Sequence, residues 1–533
     1  MNQTRANSSL SRVRPLRLPR VCVAVAAANC SELLAKAEAA VVESPFLEFR
    51  LDYLKQPAAS LAKLHSFCRA HPEAVFIATC RRAANGGKFH GSVEAELKIL
   101  RKAAASGFQL VDLELQSARA LKPGEIAKLR SQAGLILSYH DFRATRKLEE
   151  TFRQMAAIPA NYYKLATTAT CLYDNVLLMK FLQAKSREHS VVGLCMGEQG
   201  IISRLLALRV GSAFTFASAI PGEETAPGQL TARTLREVYR LDHLDAATRI
   251  YGVAGNPVAQ SLSPLMLNTA FRRENVNAVY LALCTKELDD LVACVREVPI
   301  SGLSITMPHK ENIVGYLDNT DTLTQKTGAC NTVVRSPDGR LFGFNTDVAG
   351  VLAPLEQRLP LTGAKVLLIG AGGAARAAAF GLKNRGAQLF IINRTSAKGL
   401  KLARQAEAKY LKRAEVKKHS FDVIINATPL GMDSTQIPLT EQEIHARFVL
   451  DMIYTSAETP FTRAGRAAGA EVIAGTEMFV QQGARQFEIW TGKPAPAQEM
   501  LNVVAAALAA GNRKAEARSK NSEVRSQNTE IVR

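Results

Sequence analysis

An α/β architecture is predicted for this 533-residue chain: an N-terminal (β/α)8 TIM barrel, then a two-domain unit joining an α/β substrate domain to a Rossmann domain. Three observations predict it. Eight short β-rich runs separated by helical patterns fill residues 21 to 217. A second α/β pattern starts near 250. At 365 it becomes "KVLLIGAGGAARAAAFGL", which reads as a strand, a glycine turn and an alanine-rich helix.

Residues 1–20 carry five Arg and no acid and read as a disordered basic tail. The overlapping stretch from Arg14, "RPLRLPRVCVAVAAAN", has the basic start and apolar run of a secretory leader. Yet "VCVAVA" is the first of the eight runs, and its removal would leave a seven-stranded barrel, so it is read as a strand. The others are "FLEFRL", "AVFIATC", "QLVDLEL", "GLILSY", "YYKLA", "VVGLCM" and "SAFTFA". Residues 21–240 are therefore the barrel, and 241–249 a linker. A substrate domain is expected over 250–347, from "IYGVAG", "VYLALC", "GLSITM" and "NTVVR", completed by one long helix over 480–510. The Rossmann domain takes 348–479, and 511–533 is a polar tail with too little apolar surface to fold.

Hydrophobic residues at 47% and charged residues at 22% are ordinary globular values. No run of 18 apolar residues occurs, so no membrane span is expected. Of the formal +19 charge, the first tail contributes five and the last three; the remainder is spread thinly, without interleaved aromatics. Nucleic acid is therefore not an expected partner, and a small anionic substrate accounts for the excess. Nine cysteines without a CxxC pair read as reduced intracellular thiols. No metal-ligand cluster is present, so no metal is expected. The expected location is the cytoplasm, or a plastid if the first 20 residues are a transit peptide.

TIM-barrel chemistry sits at the C-terminal ends of strands. Those ends carry Glu48, Arg50, Arg81, Glu114, His140 and Lys164. Burying an unpaired charge costs several kcal/mol, so packing alone would not select this set. A lysine desolvated enough to lose its proton attacks a carbonyl, and the imine that forms is an electron sink. A histidine on the adjacent strand can take a proton α to that imine and pass it to a leaving hydroxyl. Arg50, Arg81 and Arg204 would hold a carboxylate by forked hydrogen bonds. Together these predict a Schiff-base lyase or aldolase for an anionic hydroxy-keto substrate.

The stretches "LEFRLD", "TCR", "SYHDF", "YYKLA", "MGEQGIISR" and "TAPGQ" resemble, in order and over about 21–240, type I 3-dehydroquinate dehydratase. The resemblance implies that Lys164 forms the imine with the 3-keto group. It implies that His140 is base and then acid, water leaving to give 3-dehydroshikimate, with substrate contacts from Glu48, Arg50, Arg81, Arg204, Thr225 and Gln229. The chain departs from the family in "RRAANGGKF", where Asn85 stands at a position that often holds a carboxylate. What orients His140 is thereby left open, Glu114 being one available carboxylate.

In "GAGGAA", Gly370, Ala371, Gly372, Gly373 and Ala374 form a tight turn whose free N–H groups can meet a pyrophosphate. After "LFIINRT" a NAD enzyme would place an acid for the ribose, whereas this chain offers Asn393, Arg394 and Thr395. An arginine there suits a 2′-phosphate, so NADP is the expected cofactor. "SITMPHK" and "NTD" supply Lys310 and Asp347, an ammonium–carboxylate pair able to protonate a carbonyl oxygen as hydride reaches its carbon.

With "SLSP", "GACNT", "NATPLGM", "LDMIY" and "MFVQQGARQF", these motifs resemble shikimate dehydrogenase across about 250–510. The resemblance implies that Lys310 and Asp347 are the catalytic pair. It implies that Ser261, Ser263, Thr306, Asn331, Tyr454 and Gln482 contact the shikimate carboxylate and hydroxyls, and that Met452 and Gly475 line the nicotinamide. Ser263 favours shikimate over quinate, whose preferring relatives often lose the second serine. The product of the first site is the substrate of the second. The expectation is thus a bifunctional enzyme taking 3-dehydroquinate to 3-dehydroshikimate and, with NADPH, to shikimate. The alternatives are a quinate-preferring fusion and a catalytically silent metabolite sensor on the same domains.

Overall fold

The computed structural model describes residues 18–432, 435–455 and 458–511, so the tails expected at 1–20 and 511–533 lie almost wholly outside the described residues. The chain divides into two compact units, one of residues up to Thr170 with Leu177–Leu235 and one from Arg236 onward with the short segment Cys171–Val176, so the main boundary falls just upstream of the linker expected at 241–249.

The first unit holds β1 (Val21–Val25), β2 (Phe46–Arg50), β3 (Val75–Thr79), β4 (Leu110–Glu114), β5 (Gly134–His140), β6 (Tyr162–Thr168), β7 (Val191–Met196) and β8 (Thr215–Ser218). All eight expected runs are strands, parallel and in the order β7-β6-β5-β4-β3-β2-β1-β8. "VCVAVA" supplies β1, wholly buried between β2 and β8. The barrel is nearly closed by Ala213 N–H donating to the Val191 carbonyl at 2.8 Å and Gly193 N–H to the Ser212 hydroxyl at 3.2 Å.

Alternation along each strand explains how this sequence makes a site. Side chains two apart share a face. Phe46, Ile77, Leu110 and Ile136 pack together in the core near the strand starts, where the Phe46 and Phe214 rings meet edge to face at 5.0 Å. Two residues further along come Glu48, Thr79, Asp112 and Ser138, and two beyond these Arg50, Arg81, Glu114 and His140. An apolar floor therefore grades into a polar mouth at the C-terminal ends.

In the second unit, β9 (Arg249–Gly255), β10 (Ala278–Cys284), β11 (Ile300–Ile305), β12 (Asn319–Thr320), β13 (Thr332–Arg335) and β14 (Leu341–Phe344) form a mixed sheet. Its order is β10-β9-β11-β13-β14-β12, with β13 antiparallel to both neighbours. The strands β15 (Lys365–Ile369), β16 (Gln388–Ile392), β17 (Lys409–Tyr410), β18 (Phe421–Asn426), β19 (Ala446–Asp451) and β20 (Glu471–Ile473) form a parallel sheet ordered β17-β16-β15-β18-β19-β20. That is the doubly wound order of a Rossmann domain.

The single helix expected over 480–510 is corrected to two. The first spans Gly475–Thr491 and stops at Gly492, whose φ of 69° is left-handed. Pro494 and Pro496 lack the N–H needed to continue it, and helix resumes over 497–511. The first of these returns to the mixed sheet, where Trp490 donates from Nε1 to the Val333 carbonyl at 3.1 Å and packs on Tyr251.

Candidate active sites

Every barrel residue singled out from the sequence as a substrate contact or reacting group (Glu48, Arg50, Arg81, His140, Lys164, Arg204, Thr225, Gln229) lines one cavity, together with Phe142 and Phe216. Lys164 is buried on β6. Its Nζ donates to Asp112 Oδ2 at 3.1 Å, lies 3.7 Å from Glu48 Oε1 and sits 3.9 Å above the Phe216 ring. Burial opposes ionisation of Asp112, but Lys164, Arg81 and His140 outweigh it and hold its carboxyl well below the usual range. Glu48 is likewise opposed by burial and lowered by Lys164 and Arg50. The Lys164 amine thus rests between two carboxylates that stay ionised at neutral pH.

His140 stands on β5 two residues past Ser138, the register partner of Lys164. Its Nδ1 is 2.8 Å from Glu114 Oε2, and its backbone N–H donates to Glu114 Oε1 at 3.0 Å. Burial and then the Arg81 guanidinium pull the imidazole below its ordinary pKa, against the opposing charge of Glu114. A neutral imidazole at neutral pH is ready to act as a base.

The three arginines differ in how far they are already engaged. Arg50 gives Nε and one terminal nitrogen to Asp52 at 3.0 and 2.8 Å, leaving the other for a ligand. Arg81 lies 3.4 Å from Asp112 and 3.6 Å from Glu114. Arg204 is 2% exposed and donates to the Pro227 carbonyl at 2.8 Å, with no ion pair among the described residues. Burial lowers its guanidinium to about 10, and its Nε has no hydrogen-bond partner among the described residues. A buried cation without a counter-ion is what an anionic ligand would neutralise. Thr225 donates twice to Gln229 Oε1, at 2.8 and 3.2 Å, leaving the Gln229 amide NH2 as a donor.

Asp112 and Asp52 were not anticipated from the sequence. The run "QLVDLEL" points to Glu114 at its end, yet period two puts Asp112 on the same inward face.

In the second unit Lys310 Nζ donates to Asp347 Oδ2 at 2.5 Å. Asn331 Nδ2 donates to Asp347 Oδ1 at 2.7 Å and to Gln482 Oε1 at 3.4 Å, joining four expected residues in one group. A second group ties Ser261 to the Ser263 N–H at 3.3 Å and to the Tyr454 hydroxyl, whose ring stacks on Phe479 at 4.3 Å. Thr306 follows β11 directly, held by its N–H to the Ala254 carbonyl at 3.0 Å. His309 is buried, with Nε2 at 2.9 Å from the Thr285 carbonyl, a packing role beside Lys310. Gln486, absent from the expected set, donates to the Asn331 carbonyl and to Thr332 Oγ1 at 3.2 and 3.0 Å and accepts from Ser304 at 2.7 Å. An amide one helical turn past Gln482 carries no sequence signal of its own.

The glycine turn fits a dinucleotide on geometry. Gly370 has φ +118°, and Gly372 caps the helix Gly373–Asn384, where an added Cβ would meet nothing within 4 Å. Asn393, Arg394 and Thr395 follow β16, adjacent to β15, with no acid before Glu407. A Cβ on Gly475 would lie 2.2 Å from the Ile453 carbonyl oxygen, so only glycine passes there, just beyond Met452. Among the described residues no metal-holding cluster occurs, and no helix is long and apolar enough to cross a membrane.

Family models match in four stretches: type I 3-dehydroquinase over 21–246, shikimate dehydrogenase substrate binding domain over 253–333, shikimate/quinate 5-dehydrogenase over 354–446, and shikimate 5′-dehydrogenase C-terminal domain over 475–505. The chain is 32% identical over 501 residues to the chloroplastic bifunctional 3-dehydroquinate dehydratase/shikimate dehydrogenase of Arabidopsis thaliana, covering 89% of this chain and 82% of that one. It is 40% identical over 258 residues to the NADP(+) shikimate dehydrogenase of Syntrophobacter fumaroxidans, covering 47% of this chain and 89% of the relative. A solved shikimate 5-dehydrogenase from Thermus thermophilus, in complex with NADP(H) and shikimate, aligns with 49% of this chain and 99% of its own at 34% identity, TM-score 0.46.

Proposed function

The chain belongs to the bifunctional 3-dehydroquinate dehydratase/shikimate dehydrogenase family, and from that premise we propose which residues carry each reaction. It is both a lyase and an oxidoreductase of the shikimate pathway.

In the barrel, Lys164 sheds its proton and Nζ attacks the 3-keto carbon of 3-dehydroquinate. The keto oxygen leaves as water and a C=N bond forms. Neutral His140 takes a proton from the adjacent carbon, and the electron pair moves toward the imine nitrogen. Its return expels the neighbouring hydroxyl, which recovers the proton from His140 and departs as a second water. Hydrolysis of the conjugated imine frees Lys164 and 3-dehydroshikimate. Arg204, with Arg81 and Arg50, holds the substrate carboxylate; Glu48, Thr225 and Gln229 bind its hydroxyls. One observation supports this reading above others: a buried amine flanked by ionised carboxylates, with a neutral imidazole on the next strand.

In the second unit NADPH, when bound, supplies the hydride. The turn from Gly370 to Ala374 would hold its pyrophosphate, Asn393, Arg394 and Thr395 its 2′-phosphate, and Met452 and Gly475 would border the nicotinamide. Lys310 donates the proton to the ketone oxygen, and Asp347 holds that ammonium in place. Ser261, Ser263, Thr306, Asn331, Tyr454 and Gln482 bind the carboxylate and hydroxyls of the substrate. For location, the cytoplasm is the reading, and cell fractionation tests it.

Incubation of the purified chain with 3-dehydroquinate and NADPH should oxidise one cofactor per substrate and yield shikimate, stopping at 3-dehydroshikimate without NADPH. Faster NADP-dependent turnover of quinate than of shikimate, or no cofactor oxidation, would contradict it.

A further inference from the structure

We infer that Glu114, and not Asn85, is the positioning residue for His140. The strand carboxylate sets the tautomer and orientation of the base, and the loop amide takes no part. The inference rests on the reading of His140 as the general base.

Glu114 grips His140 at two points, the backbone N–H at 3.0 Å and ring Nδ1 at 2.8 Å. An ionised carboxylate only accepts hydrogen bonds, so Nδ1 must carry the hydrogen and Nε2 the lone pair that receives a substrate proton. The grip is itself held. Glu114 is 4% exposed on a barrel strand, Ser138 donates to its Oε2 at 3.1 Å, and Arg81 Nε lies 3.6 Å away. The same Ser138 hydroxyl lies 2.7 Å from Asp112 Oδ1. One hydroxyl thus sits between two carboxylates that divide the work, Asp112 turned to Lys164 and Glu114 to His140.

Asn85 is engaged elsewhere. Its Nδ2 donates to Ser117 Oγ at 3.4 Å, Ser117 donates on to Glu96 at 2.6 Å, and Asn85 Oδ1 is buried without a partner among the described residues. A neutral amide also lacks the charge to stabilise an imidazolium. The charged groups around His140 are Arg81 beyond β3, Asp112 and Glu114 on β4, and Lys164 on β6, while the Phe142 ring stacks at 5.9 Å. Of these, Glu114 is the anion in contact with the ring. Removing its charge leaves Arg81 and Lys164 less opposed, so the imidazolium becomes harder to form and the base weaker.

The test compares full-length wild type, Glu114→Gln, Glu114→Asp and Asn85→Ala. Readouts are the dehydratase pH profile, borohydride trapping of 3-dehydroquinate on Lys164, and shikimate oxidation as a folding control. Glu114→Gln should lose about 10²- to 10³-fold in dehydratase kcat, within the usual range for general base catalysis, with the acidic limb moved to lower pH. Trapping and shikimate oxidation should survive. Glu114→Asp, which keeps the charge, should recover part of the kcat, and Asn85→Ala should stay within about threefold of wild type with its limb unmoved. The inference is overturned if Asn85→Ala moves the limb as Glu114→Gln was to do, if Glu114→Gln changes neither kcat nor limb, or if Glu114→Gln also abolishes trapping. A wild type that traps nothing would instead overturn the imine reading beneath it.

Discussion

The barrel mouth and the nucleotide cleft solve the problem of binding small anions in different materials. At the mouth the proposed working groups are buried charges: Lys164, Glu48, Arg50, Arg81, Asp112 and Arg204 are all between 2% and 6% exposed. In the second unit the side chain of Lys310 is 25% exposed, and much of the rest of the proposed site is backbone: a left-handed Gly370, open space at Gly372, a carbonyl pressed on Gly475. Buried charge is stable only while its partners stand, whereas backbone geometry is broken by adding a methyl group. The two sites should therefore fail under different substitutions and independently of each other.

The largest separation comes from Lys164→Ala, which should cut dehydratase turnover by roughly 10⁴-fold or more and leave reduction of 3-dehydroshikimate at the wild-type rate in parallel assays. A matched fall in both activities would break the comparison. Lys310→Ala should do the reverse, lowering reduction by about 10²- to 10⁴-fold while dehydration continues.

Within the mouth, two arginines sharpen the point through urea unfolding. Arg50→Met strands Asp52 in the interior and should destabilise the barrel by about 3–5 kcal/mol. Arg204→Met removes a cation with no carboxylate partner among the described residues, so stability should hold or rise by about 1 kcal/mol, while KM for 3-dehydroquinate rises roughly 10- to 100-fold. Equal losses of stability would mean that Arg204 is structural. In the cleft, Gly372→Ala meets no neighbour within 4 Å and should leave the unfolding free energy within about 0.5 kcal/mol, yet raise KM for NADPH roughly tenfold by crowding the phosphates. The smallest effect is in pH. The depressed pKa of His140 keeps it in base form below its ordinary 6.5, so the acidic limb of dehydratase kcat/KM should fall under that value.

Much of this was legible in the sequence because it is enforced by strong rules. Strands covered on both faces read as continuous apolar runs, so all eight barrel strands could be read, and with them the ends that carry Lys164 and His140. The turn at Gly370 was legible because few residues other than glycine accept its φ. The two-residue strands Asn319–Thr320 and Lys409–Tyr410 are too short to show a period. Asp52 and Asp112 were missed because a carboxylate two positions from a named residue, Arg50 or Glu114, gains its meaning only from geometry: the fork Arg50 turns onto Asp52, and the approach of Lys164 to Asp112. The break at Gly492 was signalled by Pro494 and Pro496, and an amphipathic pattern running on beyond them hid it.

The central claim is that the amine of Lys164 forms an imine with the substrate. Borohydride reduction of the full chain in the presence of 3-dehydroquinate, followed by peptide mass mapping, tests it most directly. The account predicts a stable substrate adduct on the peptide containing Lys164, absent from Lys164→Ala. An adduct undiminished in that variant, or a wild type that turns over substrate yet traps none, would contradict it.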